Sequence, residues 1–279
     1  MLRSDDADIK PIAIFTDGFE FHVEPEKEEC RLADDILKRR AILESGRYLV
    51  WSVAWNDLLS DEADASLSFL QTPVVEHVLK GQANKHLKGL SLPVPDIDGV
   101  VANPWEQFKA YLSCPSDNSW SVLAEYTAGV ALGSFAIQGK GIDVTSLQEA
   151  LGIWRTGFNP PPISEDGGDW LWWSTKISWT EDMLAYAQTS ELSSHEFDRL
   201  RIALRLEDSH VERKKEKTYL QRWRQFLAML NFFQFANNLT VFSTSEVAEG
   251  IAPELPIDLG AGLTSEWEEV IGELSLIHI

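Results

Sequence analysis

The sequence predicts an α/β fold, and three consecutive segments near the N-terminus are the basis of that prediction. Residues 11–16 form a short, apolar, β-prone run that ends at Asp17. Residues 29–45 carry apolar side chains at helical spacing, and Gly46 stands where helices commonly end. Residues 47–53 are a second apolar strand. This alternation of strand and helix is typical of α/β proteins.

The rest of the chain gives weaker signals and predicts an accessory region that is α/β or mostly helical. Further helices are predicted at residues 73–80, 105–112, 145–154, 181–189 and 212–236, and a loop rich in Pro and Gly over 90–104. Strands are predicted at residues 170–179, 197–206 and 238–243. Residues 120–137 are rich in small apolar side chains, so helix and strand compete there.

The composition is that of a globular protein with a strongly acidic balance. The chain has 279 residues, 44% of them hydrophobic, which is enough for a sizeable core. Its formal net charge is −20, whereas a DNA-binding domain usually carries a basic footprint. The charge therefore argues against a grip on DNA by this chain alone. It does not exclude a local basic patch, because exposed charges are screened beyond about 8–10 Å.

Cysteine usage and hydropathy predict a cytoplasmic protein with no membrane partner. Cys30 and Cys114 lie far apart and in no metal-ligand spacing, which excludes a disulfide framework and a cysteine zinc site. The N-terminus has no apolar signal core, and no run approaches the length of a membrane span. Residues 274–279 match the translation of a transposon end used in sequencing libraries, so we expect them to be adapter-derived.

The end of the first strand is the place where the sequence points to chemistry. Metal-dependent phosphodiester hydrolysis needs oxygen ligands on a rigid edge and a cation near the phosphate. Asp17 is the candidate metal ligand and catalytic acid at the strand tip, followed by Glu20 and His22. Glu20 is a further candidate catalytic residue, His22 a second candidate metal ligand, and Lys38 the candidate catalytic cation.

Two groups of arginines are candidate DNA contacts. Arg39 and Arg40 follow Lys38 on the first helix, and Arg222 and Arg224 flank Trp223 in the basic start of the longest helix. A mixture of basic and aromatic side chains is used to bind single-stranded nucleic acids.

Each of these residues also has a simpler interpretation. Asp17 suits a turn after a strand, and His22 suits an ordinary, partly exposed histidine. Residues 38–40 suit a solvated helix face. Residues 212–236 suit a core helix with a charged start.

The spacing of residues around the first strand matches a known nuclease pattern. An apolar strand ends in Asp-Gly, a histidine follows, and the next helix reproduces the spacing with Asp35, Lys38, Ile42 and Gly46. Residues 10–60 thus resemble the very-short-patch-repair-like branch of the PD-(D/E)XK nuclease superfamily. The resemblance implies a partial restriction-endonuclease-like core over residues 1–60, with Mg²⁺ as the cofactor of a metal-dependent endonuclease.

The sequence departs from that nuclease pattern at two points. The strand of active members usually reads Glu-x-Asp-Gly, and here Phe15 stands at the position of the glutamate. A further acidic strand usually comes before it, and here only a short acidic lead does. We therefore expect the chain to be an internal fragment of a longer protein and not to cleave DNA by itself.

A longer run of residues resembles a second, larger family. The segments 12–22, 31–35, 38–39 and 50–57 are similar to the C-terminal end of large bacterial DEAD/DEAH-box (superfamily 2) helicases, some of them from anti-phage defence loci. The resemblance implies a DNA-processing module that binds DNA and cleaves it with a divalent metal. The resemblance also implies that ATP binds to upstream motor domains; no Walker-type motif occurs in this sequence. The implied partners are DNA, those helicase domains and other defence proteins.

The domain organisation that follows has two parts. Residues 1–60 are the nuclease-like segment, and residues 61–273 are the accessory region, with an internal boundary near 157–168. The alternative function is a catalytically dead nuclease-like module, or a purely structural C-terminal domain that mediates protein assembly.

Overall fold

The structure is a computed structural model that describes a defined part of the chain. It covers residues 1–18, 23–24, 29–58, 70, 72–138, 165–166, 170–177, 180–188, 200–208 and 217–253. Helices and small sheets alternate along these residues, which confirms the mixed α/β class. The predicted helix at 145–154 and most of the loop at 157–168 lie outside the described residues.

The N-terminal unit is a strand–helix–strand arrangement with parallel strands. Strand β1 (Ile12–Asp17) pairs with β4 (Leu49–Ala54), in a register that runs from Ile12 opposite Leu49 to Asp17 opposite Ala54. The short strands β2 (Val23–Glu24) and β3 (Glu29–Cys30), which lie between β1 and β4 in the sequence, form a separate antiparallel pair. Because β1 and β4 are parallel, their carboxyl ends meet at one edge of the sheet.

Helix α1 (Leu32–Glu44) connects the two parallel strands and packs on the core through Leu32 and Ile36. Gly46 has a φ of 66°, in the left-handed region that glycine adopts freely, which confirms the predicted helix end. After β4, the chain turns directly into the short helix α2 (Trp55–Leu58).

A group of helices follows. They are α3 (Pro73–His77), a π-helical turn (Val78–Ala83), α4 (Asn84–Gly89), α5 (Ile97–Ala102), α6 (Pro104–Ser113) and α7 (Asp117–Gln138). Helix α6 begins with a strong N-terminal signal. Asn103 accepts hydrogen bonds from the backbone N–H groups of Trp105 and Glu106, and Pro104 occupies the first helical position.

The second sheet has five strands in the order β5 to β9. Strands β5 (Glu165–Asp166), β6 (Trp170–Ile177), β7 (Thr180–Gln188) and β8 (Arg201–Leu206) pair antiparallel. Helix α8 (Lys217–Phe233) then crosses over to β9 (Leu239–Ser243), which pairs parallel to β8, and α9 (Thr244–Glu249) follows. The chain thus contains a second strand–helix–strand unit.

The two units and the helices between them share one hydrophobic cluster. Trp51 of β4 is fully buried near its centre, and its indole N–H donates to the carbonyl of Pro104 at 3.0 Å. Its ring packs against those of Phe108, Tyr111, Trp120 and Phe235, at centroid distances of 5.3, 5.5, 6.2 and 6.3 Å. The aromatic residues described here therefore serve mainly as core.

Two secondary-structure predictions change, and one alternative that the sequence left open is settled. The predicted helix at 181–189 is wrong, because Thr180–Gln188 is strand β7, paired on both sides by β6 and β8. An inner strand is apolar on both faces, so its sequence lacks the alternation that marks a half-exposed strand. The predicted loop at 90–104 contains helix α5, and residues 120–137 are helical.

Candidate functional site

Asp17 ends β1 in a buried ion pair with Arg39 of α1. The carboxylate oxygens Oδ1 and Oδ2 both accept from Arg39 Nη2, at 2.5 and 2.6 Å. The side chains of Asp17 and Arg39 are only 3% and 4% exposed. Charge-assisted hydrogen bonds of this length are the stronger kind, and here water does not compete with them.

The other nitrogens of Arg39 also have partners. Nε donates to Ser52 Oγ at 2.9 Å, and Nη1 donates to the backbone carbonyl of Asp35, one turn earlier in α1, at 3.1 Å. The guanidinium carbon lies 4.4 Å from the ring centroid of Phe15. Alternate residues of a strand share a face, which explains why Phe15 and Asp17 both meet Arg39. Phe15 thus supports the cation of this pair by a cation–π contact.

A second carboxylate–arginine pair lies at the same edge of the sheet. Asp57 lies in α2, three residues after the end of β4, and its Oδ2 accepts from the backbone N–H of Ala54 at 2.7 Å. Its Oδ1 accepts from Arg224 Nη2 at 2.8 Å and from Nε at 3.1 Å. The pKa of Asp57 is raised, and burial is the largest cause of the shift. The Arg224 guanidinium lowers this pKa, and the charge of Asp17 raises it.

The remaining candidate catalytic and metal-binding residues are not brought to Asp17 by the described structure. Lys38 is exposed, with Nζ 3.9 Å from the carboxylate of Asp35. It neighbours Arg39 on α1, and adjacent helical positions point about 100° apart. Glu20 and His22 lie outside the described residues. No group of three or more metal-ligating side chains occurs among the residues that the structure describes, so the Mg²⁺ site stays a prediction.

Three of the four candidate DNA-contacting arginines, Arg39, Arg40 and Arg222, are buried, and the side chain of Arg224 is 16% exposed. Arg39 is engaged by Asp17, and Arg224 by Asp57. Arg40 Nη1 donates to the carbonyl of Val241 at 2.9 Å. Arg222 is 3% exposed. Their contact with DNA stays a prediction, and it would require these side chains to leave internal positions.

The solvated-face interpretation of residues 38–40 is correct for Lys38 and wrong for Arg39 and Arg40, which are buried. Arg40 forms an ion pair with Glu246 at 2.7 Å and lies 3.9 Å from Glu44. The pKa of Glu44 is raised, and burial is the largest cause of the shift. The charge of Arg40 lowers this pKa, and that of Glu246 raises it. Arg40 thereby fastens α1 to β9 and α9.

The space beside Asp17 is small. A cavity of about 10 Å³ is lined on its polar side by Asp17, Asp35 and Arg39, and is otherwise apolar. A volume of this size holds about one water molecule. A phosphodiester with a hydrated cation does not fit this space.

Sequence reasoning missed four residues, namely Ser52 and Asp57, which take part in these contacts, and Asn231 and Gln234, which hydrogen-bond the backbone of Ser52 and Val50 in β4. Asp57 had a readable signal, because it is an acidic residue four positions after the end of the strand predicted at 47–53. Asn231 and Gln234 had a weaker one. They are amides three residues apart in the apolar final part of the helix predicted at 212–236, a spacing that places them on one face.

The comparisons with known proteins give no match: neither a family model, nor a curated protein, nor a solved structure corresponds to this chain. The nuclease and helicase resemblances of residues 10–60 therefore stay predictions. Within the described part of the chain, no helix is long and apolar enough to cross a membrane. The contacts around Asp17 and Asp57 are thus the main evidence about function.

Proposed function

We propose that this chain is a catalytically inactive, nuclease-like module of a larger DNA-processing helicase that acts in anti-phage defence. The observation that supports inactivity is the pairing of both Asp17 oxygens with the buried guanidinium of Arg39. The partial restriction-endonuclease-like core, the helicase parent and the defence setting come from the sequence resemblance of residues 10–60.

The chemistry of the pair explains why cleavage is not expected. A catalytic divalent cation must share the carboxylate oxygens and keep positions open for water and phosphate. Arg39 instead neutralises Asp17 with a guanidinium group, which donates hydrogen bonds but has no atom that accepts one. A metal ion would have to displace Arg39 and leave its charge in a site that is nearly closed to solvent. The Mg²⁺ predicted from the resemblance is therefore not part of this proposal.

The module then acts through assembly within its parent. The net charge of −20 opposes independent binding to DNA. Three of the four candidate arginines are buried, and the fourth, Arg224, is hydrogen-bonded to Asp57. Upstream motor domains would supply ATP hydrolysis and the main contacts with DNA. This chain would position those domains or another defence protein.

A plasmid-nicking assay tests this proposal. The chain is incubated with supercoiled DNA and Mg²⁺ or Mn²⁺, and compared with Asp17→Ala and with the control Asp34→Ala, an exposed acid of α1. We expect no metal-dependent nicking by any of the three. Nicking by the unaltered chain and by Asp34→Ala, lost in an Asp17→Ala variant that keeps its far-ultraviolet circular dichroism, would overturn the proposal in favour of a metal-dependent nuclease.

A further inference from the structure

Strand β4 has two edges, and only one of them pairs with another strand in the described structure. In a parallel pair, the backbone groups of alternate residues point toward the partner strand and away from it. The N–H of Leu49 donates to the carbonyl of Pro11 at 2.9 Å, so Leu49 points toward β1. Val50, Ser52 and Ala54 therefore present their backbone groups at the outer edge.

Side chains meet these outer backbone groups. Gln234 accepts from the N–H of Val50 at 2.8 Å and donates to its carbonyl at 2.7 Å. Asn231 accepts from the N–H of Ser52 at 2.8 Å and donates to its carbonyl at 2.8 Å. A carboxamide offers a donor and an acceptor, as a peptide group does. Each amide therefore replaces one peptide group of a neighbouring strand.

The third outer N–H, that of Ala54, donates to Asp57. Asp57 in turn accepts a hydrogen bond from Arg224 of α8, the helix that also carries Asn231. Arg224 and Asn231 of α8, and Gln234 directly after its last residue, thus follow the edge of β4 from its end toward its start. Three helical residues rise about 4.5 Å and two strand residues about 6.6 Å. The longer side chain of Gln234 helps to bridge this difference.

We infer that α8 acts as a surrogate strand that masks a strand-docking edge on β4, and that the partner it excludes is β4 of a second copy of this chain. The segment Leu49–Ala54 is Leu-Val-Trp-Ser-Val-Ala, without charge, proline or glycine. Such segments pair readily with copies of themselves when an edge is exposed. Two antiparallel copies related by a two-fold axis are self-complementary.

The usual protections of a strand edge are missing from β4 itself. Natural sheets guard exposed edges with lysine, proline, bulges or inward-pointing charges. Strand β4 has none of the first two, and its pairing with β1 runs without a register shift. Asn231 and Gln234 are consequently the guard, which gives the two amides at the C-terminal end of α8 a role beyond core packing. This inference does not depend on whether the Asp17 site is inactive.

The test is the double variant Asn231→Leu with Gln234→Met, which keeps side-chain volume but removes all four hydrogen bonds to β4. We expect the mass measured by light scattering to double relative to that of the unaltered chain, and to fall again on dilution. Hydrogen exchange reports the edge directly. The amides of Val50 and Ser52 should exchange faster than in the unaltered chain when the variant is dilute, and slower when it is concentrated.

The matched control is Met229→Ala, a fully buried position of the same helix that makes none of these hydrogen bonds. This variant weakens the packing of α8 but leaves the hydrogen bonds of Asn231 and Gln234 to the backbone of β4 in place. The inference is wrong if the double variant keeps the mass of the unaltered chain, or if Met229→Ala associates to the same extent. If the double variant does not fold, Gln234→Met alone is judged by the same two criteria, with loss of protection confined to Val50.

Discussion

Replacing Arg39 by methionine isolates the buried ion pair at the tip of β1. Methionine fills much of the volume of the arginine stem but carries neither charge nor donors. The variant leaves the carboxylate of Asp17 in a site with 3% exposure, beside a second carboxylate, that of Asp57. It also removes the hydrogen bonds to Ser52 Oγ and to the carbonyl of Asp35.

The expected loss is large compared with the stability of an ordinary protein. Removing one partner of a buried ion pair costs about 3–5 kcal/mol, because the remaining charge is uncompensated. The lost contact with Phe15 adds up to about 1 kcal/mol. We therefore expect Arg39→Met to lower the free energy of unfolding by about 3–6 kcal/mol, out of the roughly 5–15 kcal/mol that is typical of folded proteins.

Equilibrium urea unfolding at neutral pH measures this loss. The control is Lys38→Met, an exposed neighbour on the same helix whose ion pair with Asp35 spans 3.9 Å, and it should cost less than about 0.5 kcal/mol. Adding Asp17→Leu to Arg39→Met should recover at least half of the loss, since apolar residues replace a buried pair at little net cost. A loss for Arg39→Met no larger than that for Lys38→Met, or no recovery in the double variant, would refute the reasoning.

Two further predictions concern α1 and the core. The pKa of Glu44 is raised in the folded protein, so the folded state binds this proton more tightly than the unfolded state does. The resulting stabilisation is present at pH values below the ordinary pKa of 4.5, and it is lost as the pH rises through the raised pKa. Relative to Glu44→Gln, the unaltered chain should therefore gain stability in urea unfolding as the pH falls toward 4.5, and a constant difference would contradict this. Trp51→Ala should cost about 3–5 kcal/mol, because it removes a buried ring from the aromatic cluster. Trp51→Phe should cost less in the same assay; equal losses would show that ring packing contributes nothing.

The N-terminal unit was predictable because its signals are local. An apolar run, a helical repeat and a glycine in the left-handed region each specify their own element within a few residues, and β1, α1 and β4 lie where these signals place them. Strand β7 was not predictable in this way. Its sequence suits a helix, and only pairing with β6 and β8 makes it a strand.

The inward face of α1 shows why the site was only half visible. The helical pattern places Leu37 on the apolar stripe, yet Leu37 is 37% exposed while Arg39 and Arg40 are buried. An arginine is buried only where carboxylates and carbonyls compensate it, and Glu246 and Val241 come from the far end of the described chain. A sequence pattern confined to α1 contains no information about those partners.

The contacts that complete the N-terminal unit come late in the chain. Arg40 and Val241 are 201 residues apart, Val50 and Gln234 are 184 apart, and Asp57 and Arg224 are 167 apart. At a synthesis rate of about 5–20 residues per second, the edge of β4 stays uncovered on the ribosome for on the order of ten to forty seconds. The N-terminal unit is thus completed only after residues 224–246 are made, and during that interval its uncharged strand is available to chaperones and to neighbouring nascent chains.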